Sequence, residues 1–563
     1  MLVNNYMATS EIGQRHSVRS LFSKFQTVEN KVIADYIASF PESLSEAVDK
    51  VLSRNDQSPV IAETVVSNRA RIVKYIDNFH HQAGTNTSKV KEGLAALQRP
   101  STEVLVSIHQ PNLFAFAGVY KKIILLQCLK SIAERRDRNR KFVNLFLIVD
   151  HDFMDEFWIR HAQLPSVRHA NGVLELRFPI RAHDRWRLMH KMHAPSSSLI
   201  DFWRKQVSYW LRNTNSALFP RREDKSQLIK NFDDFWDEVL ESYSRCKSYA
   251  DFNSFIISRL VNKVWDYDTL FVRLSDIPEV FEDGFKFLIS NYKKYAIALN
   301  QSEAIFTSQG INTGVSSSSY LNAPVWLHCK CGSKGSAKLV ETKTQHLSLV
   351  GKCIACKSDL RIEIGSRSDI DLSGDKIHSI SPRAIPILLL LARELGIGCY
   401  ASGTGGSLGY MLVSSLAFEQ LNVNMPITTV WPAVDVYTGV GQSEALNYVR
   451  VNDEKELESY LDRLKGMDSG FTERIAPLIN ERSMRIRSAQ SINDILDELF
   501  PLKESQRTVR RMIKMVTKAR SAINLKPCMI DYAVNFGMSG IEAQWRERLI
   551  TNNHLATPVS LIT

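Results

Sequence analysis

Between Glu103 and Val149 two short apolar runs flank one amphipathic stretch, and few folds accommodate that arrangement. The first run, Val104-Leu105-Val106-Ser107-Ile108, is β-branched and too short for a core helix, so it reads as a buried strand. A loop with Pro111 follows, then apolar residues at helical spacing from Val119 to about Ala133, then a second strand-like run, Phe142 to Val149. Strands joined through a helix pair in parallel, and the crossover is right-handed. Further strands are predicted over Thr269–Leu274, Gly398–Ser402 and Ile427–Val436, with helices over Ile385–Leu395 and Leu408–Leu421. The predicted fold class is therefore α/β, with a Rossmann-like parallel sheet as core.

At 563 residues the chain exceeds one typical domain. Its pattern divides into a helical N-terminal region (residues 1–100) and a first part of the core with a helical insertion (101–305). A linker and zinc ribbon (306–370), a second part of the core (371–445) and a helical, coiled-coil region (446–563) follow. Residues Thr307 to Asn322, rich in Ser, Gly and Asn, form the linker. No run approaches the roughly 18 apolar residues of a membrane span, and the start of the chain lacks the apolar core of a signal peptide. A cytoplasmic protein without membrane contact is expected.

Four of the eight cysteines are scattered and four cluster, which suits a reducing compartment with one metal site. The cluster is Cys329-Lys330-Cys331-Gly332 and Cys353-Ile354-Ala355-Cys356. Two short-spaced pairs across a strand-rich segment predict a zinc ribbon, its knuckles converging on one tetrahedral ion. Gly332 permits the tight turn, and His328 could replace one thiol. Lys330, Lys334, Lys352 and Lys357 are expected to favour the thiolates. Four ligands leave no open coordination position, so the zinc is expected to be structural.

Three segments carry candidate chemistry. Ser107-Ile108-His109-Gln110-Pro111-Asn112 ends the first sheet strand, at the edge where open α/β sheets bind ligands. The next helix would aim backbone N–H groups at a phosphate there, with His109 and Asn112 adding donors. The second segment, Asp150-His151-Asp152, ends the neighbouring strand; two carboxylates about an imidazole can hold an ammonium and tune a base, although helix capping is an alternative use. The third, Ser402-Gly403-Thr404-Gly405-Gly406 through Tyr410, places glycines between a strand and a helix, where a backbone can approach a ligand closely.

Together these segments resemble the cysteine-adding enzymes of bacillithiol biosynthesis. The resemblance runs through His109-Gln110-Pro111-Asn112 and Tyr120-Lys121, Asp150-His151-Asp152, Tyr249-Ala250-Asp251-Phe252, Ser381-Pro382-Arg383, and Gly405-Gly406 to Tyr410. Order and approximate spacing agree from about residue 100 to 440. The resemblance implies a core related to class I nucleotidylyl-transferring folds, a coiled coil that forms homodimers, and the joining of cysteine to the amine of glucosaminyl-malate. Ile108, His109 and Asn112 stand where that family usually has Gly, Gln and Gly; Ser407 stands where an acidic residue is common. The zinc ribbon is an addition.

The expected function is thus a ligase joining an amino acid, cysteine foremost, to an amine-bearing small metabolite, with ATP or ADP as the nucleotide. Ser107, His109, Gln110, Asn112, Ser402, Gly403, Gly405, Gly406 and Tyr410 are the expected substrate and nucleotide contacts. Asp150 or Asp152 would anchor the ammonium and His151 accept the proton of the attacking amine. The rival reading is an RNA- or tRNA-binding protein. It draws on the net charge of +11 and on basic residues such as Arg507, Arg510, Arg511, Lys514, Lys518 and Arg520.

Overall fold

The chain was analysed as a computed structural model that describes residues 18, 30–54, 63–214, 222–311, 313, 322–343, 345–403 and 406–561. Five strands make its central sheet: β1 (Thr102–His109), β2 (Lys141–Ile148), β5 (Leu270–Arg273), β11 (Ile397–Ser402) and β12 (Ile427–Val430). Their spatial order is β12-β11-β1-β2-β5, and every neighbouring pair is parallel. The chain starts in the middle, builds outward to β5, returns to the far side of β1 and builds outward again to β12. Residues of both pleats are buried, as a parallel sheet covered on two faces requires. The helix Ala117–Arg136 packs on β1, β2 and β11 and closes the first crossover.

The sequence places a strand over Ile427–Val436, but pairing in the central sheet stops at Val430. Asp435–Val436 forms a separate short strand, β13, which pairs in parallel with β14 (Val559–Ser560) near the end of the chain. An antiparallel hairpin, β3 (His161–Pro165) and β4 (Val173–Arg177), follows β2. Of the expected linker, residues 312 and 314–321 lie outside the described residues, as do residues 1–17, 19–29 and 55–62 of the predicted helical N-terminal region.

A second sheet is antiparallel throughout. It comprises β6 (Asn322–His328), β7 (Lys334–Glu341), β8 (His346–Lys352), β9 (Asp359–Ser366) and β10 (Ile380–Pro382), in the order β10-β6-β7-β8-β9. Because the strands are sequential neighbours, the β6–β7 and β8–β9 turns fall at the same end. Those two turns hold the four clustered cysteines.

Two long helices, Glu454–Arg487 and Asn493–Ile523, fold back on each other as a hairpin. Leu457, Leu461 and Leu464 form the apolar stripe on which the dimer expectation rests. They are buried in one cluster with Val509, Val516, Ala519 and Ala522 of the second helix, so the chain covers this stripe itself. Arg510 and Arg520 pair with Asp468 and Glu458 of the facing helix, which ties part of the basic face to acids of the same hairpin.

Candidate functional site

The carboxyl edge of the central sheet gathers the loops after β1, β2, β5 and β11, and the strand order reverses between β1 and β11. Across this edge the Gln110 side-chain amide donates to Asp152 Oδ2 at 3.0 Å, joining the first two candidate segments. Asp152 also accepts from the amide of Phe153 at 2.9 Å. Tyr410, in the helix Gly406–Gln420 after β11, is held above the ordinary phenol range by burial and by the charges of Asp152 and Glu156, so the third segment faces the second. Gly405 and Thr404 lie outside the described residues, and of Gly406 only the start of the helix is described. Gly403 accepts from the Ser402 hydroxyl at 3.1 Å.

Ser107 does not reach the edge. It lies inside β1, buried between partners Phe146 of β2 and Ala401 of β11. Asn112 is 1% exposed, and neither atom of its side-chain amide has a hydrogen-bond partner. Such a group costs about 1–3 kcal/mol unless something bonds it. Phe114, two residues on, holds a left-handed φ of 43° with its ring packed against Trp203, Trp236 and Phe252. That anchoring keeps the Asn112 loop in place.

His109 corrects its expected role. Its Nδ1 lies 2.8 Å from the Gln110 carbonyl, which can only accept, so the proton sits on Nδ1 and Nε2 keeps a lone pair. Burial, with Lys122 nearby, pushes the ring down to about 3, so it is neutral at physiological pH. A neutral ring with its one proton already used cannot donate to a phosphate. Lys122 itself donates to the Ile108 carbonyl at 2.7 Å, and burial lowers its ammonium to about 7.

Asp150 is fully buried at the end of β2. Its oxygens accept from the amide and hydroxyl of Ser275, at 3.0 and 2.5 Å, in the loop after β5. Asp150 is fully buried, whereas Asp152 is only partly so, which makes Asp152 the carboxylate within reach of an ammonium. Burial raises the Asp150 carboxyl; His190, Ser275 and Arg273 oppose that shift. His151 is buried between two further imidazoles, with ring centroids 4.9 Å from His190 and 4.8 Å from His328. Burial holds it well below the usual histidine range, reinforced by His328, His190, Lys334 and Lys191, and its Nδ1 has no hydrogen-bond partner.

Two of these neighbours come from the cysteine-bearing sheet. His328 ends β6, and its Nε2 lies 2.9 Å from the Ser381 hydroxyl, so it stands against His151 rather than replacing a thiol. Lys334 begins β7; its ammonium donates to the His151 carbonyl at 2.5 Å and lies over the rings of Phe153 and Trp326. It serves this crevice, not the sulfurs as expected from sequence. Burial lowers it to about 8.

Cys329, Cys331, Cys353 and Cys356 bring their sulfurs within 4.8 Å of one another, a cluster compatible with a structural zinc site. Cys329 lies 3.5 Å from Cys356, and Cys331 the same distance from Cys353. Gly332 takes φ +85° in the first turn, and Lys357 takes φ 62° in the second. The Gly332 carbonyl accepts from the amide of Leu188, docking the first turn on the segment that bears His190.

The motif elements at the periphery are architectural. Asp251 completes a capping box with Ser248 and pairs with Arg273 at 2.6 Å; Lys121 and Asp435 form a fully buried pair at 2.6 Å. Sequence reasoning missed His190, Ser275 and the role of Lys334. The nearest signal for the first was the histidine-rich stretch His190-Lys191-Met192-His193, which has no periodicity to place it. No helix among the described residues is long and apolar enough to cross a membrane. Compared with known proteins, the chain matches no family model and no curated sequence.

Proposed function

We propose that this chain is an amide-forming ligase built on a Rossmann-like core of the class I nucleotidylyl-transferase kind, with a structural zinc on its second sheet. The observation that carries the reading is the Gln110–Asp152 hydrogen bond, which joins the loops after β1 and β2, with the charge of Asp152 felt by Tyr410 of the helix after β11. A crevice at the point where strand order reverses is where open parallel sheets take ligands. The resemblance to the cysteine-adding enzymes of bacillithiol biosynthesis supplies the substrates: cysteine and an amine-bearing small metabolite.

A free carboxylate resists attack by an amine, so a nucleotide must first transfer a phosphoryl or nucleotidyl group to it. The amine nitrogen then bonds to the acyl carbon. The activated oxygen leaves with its phosphate, and the amine's proton passes to a neutral imidazole of the crevice. Asn112 and the amides of the glycine turn receive the phosphates, while Asp152 holds the amino-acid ammonium.

Calorimetry with ATP and with cysteine tests this division. Asn112→Ala should weaken ATP alone and Asp152→Asn should weaken cysteine alone. The charge-assisted bond of Asp152 is worth about 1.5–3 kcal/mol, roughly ten- to hundredfold in affinity. Absence of binding by either ligand, with salt-sensitive RNA binding instead, would favour the RNA-binding alternative.

A further inference from the structure

We propose that Asp150, His151 and His190 form a second metal site, separate from the thiolates, which takes a divalent transition cation such as Co2+, Mn2+ or Zn2+. One carboxylate oxygen and two imidazole nitrogens lie within 4.8 Å of one another at the end of β2. In a tetrahedral shell with each ligand atom about 2.0–2.2 Å from the cation, neighbouring ligand atoms stand about 3.3–3.6 Å apart. The trio therefore closes by at most about 1.5 Å on binding, a movement that the partly exposed His190 side chain can supply.

Three further observations point to a cation. His151 is 6% exposed, yet its Nδ1 has no partner, leaving a ligating atom with nothing to bond. His190 Nδ1 lies 3.0 Å from the Asp150 carbonyl, an acceptor, so its proton sits there and Nε2 presents a lone pair. Metal-binding imidazoles are oriented in this way, through a hydrogen bond from the other ring nitrogen. Ser275 anchors Asp150 with two donors, while each carboxylate oxygen keeps a second lone pair for a metal.

Two imidazoles and one carboxylate bind borderline divalent ions and leave coordination positions open, unlike four thiolates. The site rests on the ligase reading only for its position in the reacting crevice. With a cation bound, His151 and His190 are ligands, and Asp152 stays outside the coordination shell, where it can meet the ammonium.

The experiment uses the full chain with zinc already in its thiolate site, titrated with Co2+ and followed in the visible region. One additional Co2+ should bind, giving nitrogen–oxygen ligand-field bands without thiolate charge transfer, and the same bands should appear in Cys353→Ser. His190→Ala, a change at a partly exposed position, should weaken this binding by more than the roughly 10–100-fold that outer-shell changes cost. Asp150→Asn should do the same while keeping the side chain's shape. No additional cobalt, or cobalt held equally by both variants, overturns the site. Amide formation is assayed separately: bound cobalt without ligation would count against the ligase reading and leave the metal site standing.

Discussion

The rings of His328 and His151 stand 4.8 Å apart, centroid to centroid, although one ends a strand of the antiparallel sheet and the other follows a strand of the parallel one. Cys329 directly follows His328, and Lys334, bonded to the His151 carbonyl, lies three residues beyond Cys331. The thiolate turn is therefore bracketed by two residues of the crevice, and whatever holds the turn also holds them.

From this coupling, mercurial titration should release about one zinc per chain from the four thiolates. Cys353→Ser should lose that zinc and weaken cysteine and ATP binding roughly 10–100-fold, the scale of disturbed outer-shell contacts. A zinc-free protein with unchanged ligand affinity would show that the turn needs no metal to place His328 and Lys334.

Asn112→Leu should raise stability by about 1–3 kcal/mol, because the amide it removes is buried without a partner. The same change should abolish the phosphate contact assigned to that amide. Thermal unfolding with and without ATP checks both effects; a lower melting temperature in the absence of nucleotide would contradict the account.

The parallel core was legible because its strands are buried on both faces and so read as short, mostly apolar runs, as Phe142 to Ile148 does with only Asn144 breaking it. Two candidate segments were legible for a related reason: Asp150-His151-Asp152 and His109-Gln110 interrupt such runs at their ends. His190 and Lys334 were not, because they lie in a turn and a strand start whose positions depend on contacts between distant segments. Nor could sequence show His109's tautomer, which depends on a bond to the next residue's carbonyl. The leucine stripe at Leu457, Leu461 and Leu464 was read as a dimer surface, whereas residues of the same chain cover it; spacing alone does not say which chain supplies the partner.

That assignment has its own test. Leu461→Ala should destabilise the long-helix hairpin by about 2–5 kcal/mol, the usual cost of emptying a buried leucine site. Because the covering residues belong to the same chain, the loss should be independent of protein concentration. A melting temperature that climbs with concentration only in the wild type would place another subunit on this stripe.

His80, which belongs to neither candidate metal cluster, gives a pH dependence of its own. It is fully buried under β5, accepts from the Phe271 amide at 3.0 Å, and is pushed by burial down to about 3 from 6.5. The unfolded chain therefore takes up this proton below about pH 6.5, and the folded chain does not until about pH 3. Stability is fully present above the unfolded value and falls as pH drops through that window. At pH 5 this one group costs about 2 kcal/mol relative to pH 7. Denaturant unfolding at the two pH values should show at least that loss, and a flat profile would mean that His80 is not held neutral.

The central claim is that the crevice joined by Gln110 and Asp152 forms an amide bond. Its most direct test is mass spectrometry of the purified chain incubated with ATP, cysteine and glucosaminyl-malate. The account predicts a product equal to the two substrates less one water, formed with nucleotide consumption and, at subsaturating cysteine, formed roughly ten- to hundredfold more slowly in Asp152→Asn. Intact substrates after long incubation with folded, zinc-loaded protein, across this and other amine-bearing acceptors, would contradict it.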